Sequence, residues 1–170
     1  LEKYGAKVYN QYADLEAWDG TILKARNIIG AFNPDNKKRV MLCAHWDSRP
    51  YADYDADEKN HKKPIDGAND GASGVGVLLE IARQIQKEAP TVGIDIIFFD
   101  AEDYGTPAWH RGTYKPHDWC LGSQYWGRTP HVQGYFARYG ILLDMVGGKG
   151  GTFYYEPYSY RTARKEVKKI

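Results

Sequence analysis

Five side chains able to bind a cation, or to move a proton beside one, are spread along this chain: His45, Asp70, Glu102, Asp103 and Asp144. They lie in the segments AHWDSRP, DGANDGASG, FFDAEDYG and LLDMVGG. Three of these read as the ends of buried strands and one as the start of a helix. Open α/β sheets place their chemistry outside the carboxyl ends of their strands, so the four tips together define a candidate site. An imidazole with several carboxylates and no cysteine is a nitrogen/oxygen set suited to zinc in an open, catalytic coordination. Structural zinc would favour thiolates. Magnesium is disfavoured by the histidine, and no phosphate-binding glycine loop follows a strand. The G-x-S-x-G elbow of a serine hydrolase is absent.

Each segment also has a plainer explanation. His45 and Asp47 stand two apart on extended chain and share a side, so Asp47 is expected to accept a hydrogen bond from the far ring nitrogen of His45 and to orient it. A hydrogen-bonded histidine ending a strand would look the same. Asp70 opens a helix, where an acid is already favoured by capping and by the helix dipole. The small residues Gly71, Ala72 and Gly74 after it would let that helix end approach a metal closely. Glu102 and Asp103 are adjacent and can divide labour, one on the metal and one toward the substrate, although two acids opening a loop are common. Asp144 lies within the apolar run 142–146, where a carboxylate stays ionised only beside a cation or several donors.

The elements that would position these residues follow from periodicity. Residues 7–17 and 21–32 alternate in character around Asp19-Gly20 and read as a hairpin. A short apolar strand covers 38–46, with both faces covered, and a polar loop runs over 47–69. Helical spacing of Val75, Leu78, Leu79, Ile81, Ala82 and Ile85 predicts a helix over 73–88. A buried strand follows at 94–100, then a loop over 101–120 whose length points to function. A short helix at 121–128, a third buried strand at 139–146, an edge strand at 152–156 and a final basic helix capped by Ser159 and running to the last residue complete the reading. The expected fold is α/β: three αβα layers around a mixed, largely parallel sheet with a hairpin at one edge, in a single domain over 1–170.

Composition narrows the partners. With 23 basic and 22 acidic residues the net charge is +1, so nothing favours a polyanion, and the basic residues 164–169 read as a solvated helix face rather than a nucleic-acid patch. No apolar run reaches the ~18 residues of a membrane span. The two cysteines, Cys43 in a strand and Cys120 in a loop, indicate neither a disulfide framework nor a thiolate zinc site. Aromatic residues gathered in the irregular segments after the acidic tips suggest a substrate pocket, with surface packing of long loops as the alternative.

The order AHWDSRP, GANDGASGVGVLLEIAR, IIFFDAEDYG and LLDMVGG resembles the zinc aminopeptidase and glutaminyl cyclase superfamily over about residues 20–160. For a two-zinc aminopeptidase the resemblance implies that His45 and Asp144 hold one zinc, that Asp70 bridges both, and that Asp103 with a later histidine holds the other. Glu102 would be the general base and Asp47 would orient His45. For a glutaminyl cyclase it implies one zinc on Asp70, Asp103 and the later histidine, with Glu102 shuttling protons and Asp144 hydrogen-bonding near the substrate. The segment YGTPAWHRGTYKPHDWCLGSQYW is similar to the long cyclase loop that carries a pocket tryptophan, here Trp109, and SRPYAD resembles bacterial cyclase-like members. The expected activity is therefore conversion of an N-terminal glutamine to pyroglutamate on peptides or proteins, with aminopeptidase and non-catalytic binding domain as alternatives, in a periplasmic or cell-surface protein. Asp103 stands where many members carry glutamate. His61, His110, His117 and His131 all precede Asp144 and do not match the later histidine, so the chain is expected to be a fragment, incomplete at its C-terminus.

Overall fold

The computed structural model describes residues 1–169. Strand β1 (Lys7–Glu16) turns back through a loop containing Gly20, φ +85°, into β2 (Ile22–Phe32), and the two pair antiparallel from Lys7 opposite Ala31 to Glu16 opposite Ile22. Strand β3 (Arg39–His45), helix α1 (Ala72–Lys87) and strand β4 (Gly93–Phe99) form a β-α-β unit, and β3 and β4 pair parallel along their whole length. Helix α2 (Leu121–Arg128) precedes the short strand β5 (Gly140–Leu142), which pairs parallel with β3. The five-stranded sheet has the order β1-β2-β4-β3-β5, with β2 antiparallel to β4, so the edge hairpin joins a parallel region. This is the expected mixed α/β sheet. No helix among the described residues is long and apolar enough to cross a membrane.

Both faces of the parallel region are covered because its strands are apolar on both sides. Leu78 and Ala82 of α1 pack on Phe32, Ala44, Ile96 and Phe98. On the other face Trp126 of α2 packs against the layer of Ile29, Cys43, Ile97 and Phe99, its ring centroid 5.8 Å from that of Phe99. At the amino ends of β3 and β4, Arg39 forks onto the buried carboxylate of Asp95 at 2.7 and 2.6 Å, and Tyr135 donates to the same group at 2.8 Å. The charged groups that remain free for chemistry are at the opposite, carboxyl ends.

The last third of the chain departs from the sequence reading. The strand predicted over 139–146 pairs only at 140–142, and no strand forms over 152–156. Among the described residues β5 has β3 on one side alone, so Leu142 is 60% and Met145 58% exposed. Asp144 accordingly sits just past the strand with a third of its side chain exposed, not inside an apolar strand. The final helix is two short ones, α3 (Pro157–Thr162) and α4 (Arg164–Val167), interrupted at Ala163. Glu156, not Ser159, is the cap: its carboxylate accepts from Tyr158 N and Ser159 N, and Pro157 at the first position needs no partner for its nitrogen. Neither short helix buries a residue, so packing does not carry the helix across the break. Ile170 lies outside the described residues.

Gly74 shows how tightly α1 is seated. A Cβ there would overlap the carbonyl oxygen of Leu143 and lie 2.9 Å from Ala44 Cβ. In an ordinary helix Gly→Ala stabilises by about 1 kcal/mol. Here Gly74→Ala is expected to destabilise by about 1–3 kcal/mol through overpacking, read from the urea midpoint; a stabilised variant would mean that α1 does not sit this close to β3.

Candidate metal centre

His45 is the last residue of β3 and is 1% exposed. Its Nε2 lies 2.9 Å from Asp70 Oδ1 and 3.5 Å from Asp144 Oδ1, and its Nδ1 lies 3.6 Å from Asp47 Oδ1. None of these approaches is aligned as a hydrogen bond: both ring nitrogens, and Asp103 Oδ2, are buried without a partner. Two sets of donor atoms, His45–Asp70–Asp103 and His45–Glu102–Asp144, each lie within 4.8 Å of one another. The five residues singled out from four separated segments thus meet in one place.

Local backbone devices bring them there. Asp70 does not cap α1: the N-cap is Gly71, and no side chain bonds there, so the capping explanation for this acid fails. Gly71 has φ +82°, and a Cβ on it would stand 2.8 Å from the Asp47 carbonyl and 3.1 Å from His45 Cε1. Only glycine lets the helix start come this near the imidazole. Ser73 Oγ accepts from Val146 N at 3.0 Å and Asn69 Oδ1 from Gly147 N at 2.8 Å, which fixes the turn carrying Asp144 against the segment carrying Asp70. Behind β4 the chain turns at Ala101, φ +52°. Asp47 then accepts from Glu102 N at 3.1 Å and from Asp103 N at 3.0 Å, one carboxylate oxygen for each. The same carboxylate lies 3.6 Å from His45 Nδ1, so Asp47 faces the imidazole and also holds the backbone of the acidic pair, a second role that its spacing from His45 did not reveal.

The crowding sets the protonation states. Burial works against a charged His45, but the surrounding carboxylates of Asp47, Glu102 and Asp103 prevail and carry it up to about 10. Burial, reinforced by Asp70, pushes Asp103 up to about 7. Burial also raises Glu102, with Asp144, Asp47 and Asp70 adding to it against the pull of His45. For Asp47 burial acts upward, yet His45 and the two backbone N–H groups hold it below the usual carboxylate range. A concentration of acids around an imidazole with unpartnered nitrogens fits a divalent cation of the nitrogen/oxygen type. The residues fit the group expected from the sequence.

Trp109 is half-buried in the 101–120 loop, edge-on to Tyr51 at 5.1 Å and stacked at 6.2 Å on His61. It is part of a wall built with the 47–69 loop rather than of the acidic cluster. That wall also contains a buried pair, Arg49 and Asp53, which periodicity did not reveal; the signal was an Arg and an Asp four apart beside a proline. A cleft of about 230 Å³ bordered by Asp47, Ser48, Pro50, Ala101 and Tyr104 adjoins the site, whereas a larger cavity of about 490 Å³ lies over Arg39, Asp95 and His131 at the far end of the sheet.

Residues 27–170 match Peptidase family M28. This chain belongs to that family. It is similar to the glutaminyl cyclase of Bacteroides thetaiotaomicron solved with N-acetylhistamine, at 66% identity and TM-score 0.97 over 99% of this chain and 57% of that one. It is equally similar, at 66% identity and TM-score 0.97, to a leucine aminopeptidase precursor from the same organism, covering 99% of this chain and 58% of that one. Bovine glutaminyl-peptide cyclotransferase is 30% identical over 150 residues, which are 75% of this chain and 38% of that protein. The chain thus spans less than two thirds of the length of each of these relatives, and the family resemblance read from the four segments is borne out.

In the metal-free protein the raised values of Asp103 and His45 both favour the proton-bound folded form. Their contribution to stability is full at acid pH and is lost as pH rises, through about 7 for Asp103 and about 10 for His45. Ligands must be deprotonated to bind metal, so zinc added at pH 7 is expected to release about one proton or more. Calorimetry in two buffers of different ionisation enthalpy measures this, and binding with no proton release would remove both residues from the ligand set.

Proposed function

We propose that this chain carries most of the active site of a zinc-dependent glutaminyl-peptide cyclotransferase, converting an N-terminal glutamine to pyroglutamate with loss of ammonia. The observation that carries the reading is the placement of Glu102: a half-buried carboxylate of raised pKa, held by Asp47 beside the Asp70–Asp103 pair, in a chain 66% identical to a glutaminyl cyclase. Asp70 and Asp103 would hold one zinc, with His45 and Asp144 beside it. When bound, the ion supplies a Lewis acid for the side-chain amide carbonyl.

The chain's own residues do the rest. Glu102 takes a proton from the α-amine as its nitrogen attacks the amide carbon, and returns that proton to the departing nitrogen, which leaves as ammonia. A raised pKa makes it a better proton acceptor than an ordinary carboxylate in the first half of that transfer. Asp144 faces Glu102 across His45 and anchors the substrate amine side of this path. Asp47 fixes the height of Glu102 through its backbone N–H, and Trp109 covers the small glutamine side chain as part of the aromatic wall.

A second reading is favoured by a specific observation: His45 Nε2 lies 2.9 Å from Asp70 and 3.5 Å from Asp144, so the three residues that would hold a second zinc in an aminopeptidase are side by side. In that case Glu102 would activate water, and the product would be a free amino acid. Glutaminyl and non-glutaminyl dipeptides incubated with the full-length protein discriminate the two: pyroglutamate with ammonia supports the cyclase, and release of free amino acids overturns it. Glu102→Gln is expected to keep zinc while turnover falls by roughly 10²–10⁴. Near-normal turnover would remove Glu102 from the role.

A further inference from the structure

Arg49 and Asp53 are 7% and 5% exposed, and the proposed chemistry uses neither. Arg49 Nε donates to Asp53 Oδ1 at 2.7 Å and Nη2 to Oδ2 at 2.6 Å, a two-pronged fork. The remaining arm, Nη1, donates to the main-chain carbonyl of Asp103 at 2.8 Å. Asp53 Oδ2 in turn accepts from Ala108 N at 2.8 Å, one residue before Trp109. The guanidinium lies 4.5 Å from the ring centroid of Trp119 and 5.8 Å from that of Tyr51, and Tyr51 meets Trp109 edge-on. A buried ion pair is weak evidence for stability, because desolvation offsets the attraction. This one differs from a loop staple in what it grips, for its outer bonds go to the backbone on either side of the 103–108 turn.

We propose that Arg49 and Asp53 form a positioning unit that sets the coordination geometry of Asp103 and, through Ala108 and Tyr51, the pose of Trp109. This rests on the reading of Asp103 as a zinc ligand. Asp47 holds the N–H of residue 103 and Arg49 holds its carbonyl, so the peptide groups on both sides of that side chain are fixed from the neighbouring loop. Lysine cannot replace the arginine here: a single ammonium cannot fork onto Asp53 and reach the Asp103 carbonyl together.

The test uses the full-length protein, with zinc affinity measured by competition against a chromophoric chelator and ligand geometry read from the visible absorption of the cobalt(II)-substituted form. Arg49→Lys is expected to weaken zinc binding by roughly 10- to 100-fold, as loss of an outer-shell partner does, and to shift the cobalt bands. Asp53→Asn keeps the side-chain shape but removes the acceptor shared by Arg49 and Ala108, and should move both readouts in the same direction should Arg49→Lys fail to fold. A merely structural pair would lower the unfolding temperature while the folded variants bound zinc with wild-type affinity and an unchanged cobalt spectrum; that outcome overturns the proposal. Wild-type protein that bound no zinc would overturn the metal reading itself, and this inference with it.

Discussion

Carboxylates do not gather around one buried imidazole unless something positive joins them. Asp47, Asp70, Glu102, Asp103 and Asp144 all approach His45, and two like charges at 4 Å repel by about 4 kcal/mol at an effective dielectric near 20. Part of that repulsion is relieved by protons: burial and then the neighbouring acids raise Asp103 and Glu102, and the same acids keep His45 charged far above its usual range. Part is relieved by the His45 imidazole and by two backbone donors, which hold Asp47 low against its burial. The remaining demand is what a divalent cation answers.

The fold does this with short, stiff connections rather than with long side-chain reach. Parallel pairing of β3 and β4 ends at His45 and Phe99, so the two segments that carry Asp47 and the acidic pair leave the sheet side by side. Trp46 N donates to the Phe99 carbonyl at 2.9 Å and extends that pairing by one step. Leu143 N likewise donates to the Cys43 carbonyl at 2.8 Å, which delivers Asp144 to the same end even though β5 itself is short. Glycine at 71 and 74 then lets α1 close over the gap from the opposite side. A site assembled from backbone bonds at strand ends is held to the geometry of the sheet, and this is why carboxylates from four distant segments can share one small volume.

Most of this was legible in the sequence, and the exceptions have a common cause. The hairpin, β3, α1, β4 and α2 lie within a residue or two of their predicted bounds, because their apolar periodicity reports faces that really are covered. Residues 139–146 and 152–156 carry the same apolar and aromatic signal, but among the described residues only 140–142 find a partner strand, β3. The four acidic tips were visible because a charged residue at the end of a greasy run contradicts its surroundings. Arg49 and Asp53 gave no such contradiction: each sits in a polar loop, and the carbonyl that gives Arg49 its purpose is 54 residues further along the chain. Asp47 was read for its neighbour two residues back, and its hydrogen bonds to Glu102 N and Asp103 N, 55 and 56 residues on, left no trace in local spacing.

His45 belongs to both donor groups, so one imidazole faces acids from three other segments. An imidazolium at His45 puts a single positive charge between Asp70 and Asp144, and a second zinc would put two there after expelling that proton. Proton and cation therefore compete for the same gap. In the metal-free protein the neighbouring carboxylates hold that proton on His45, so a metal bound there must release it. The surrounding carboxylates set that competition, because they raise His45 and would equally attract a cation.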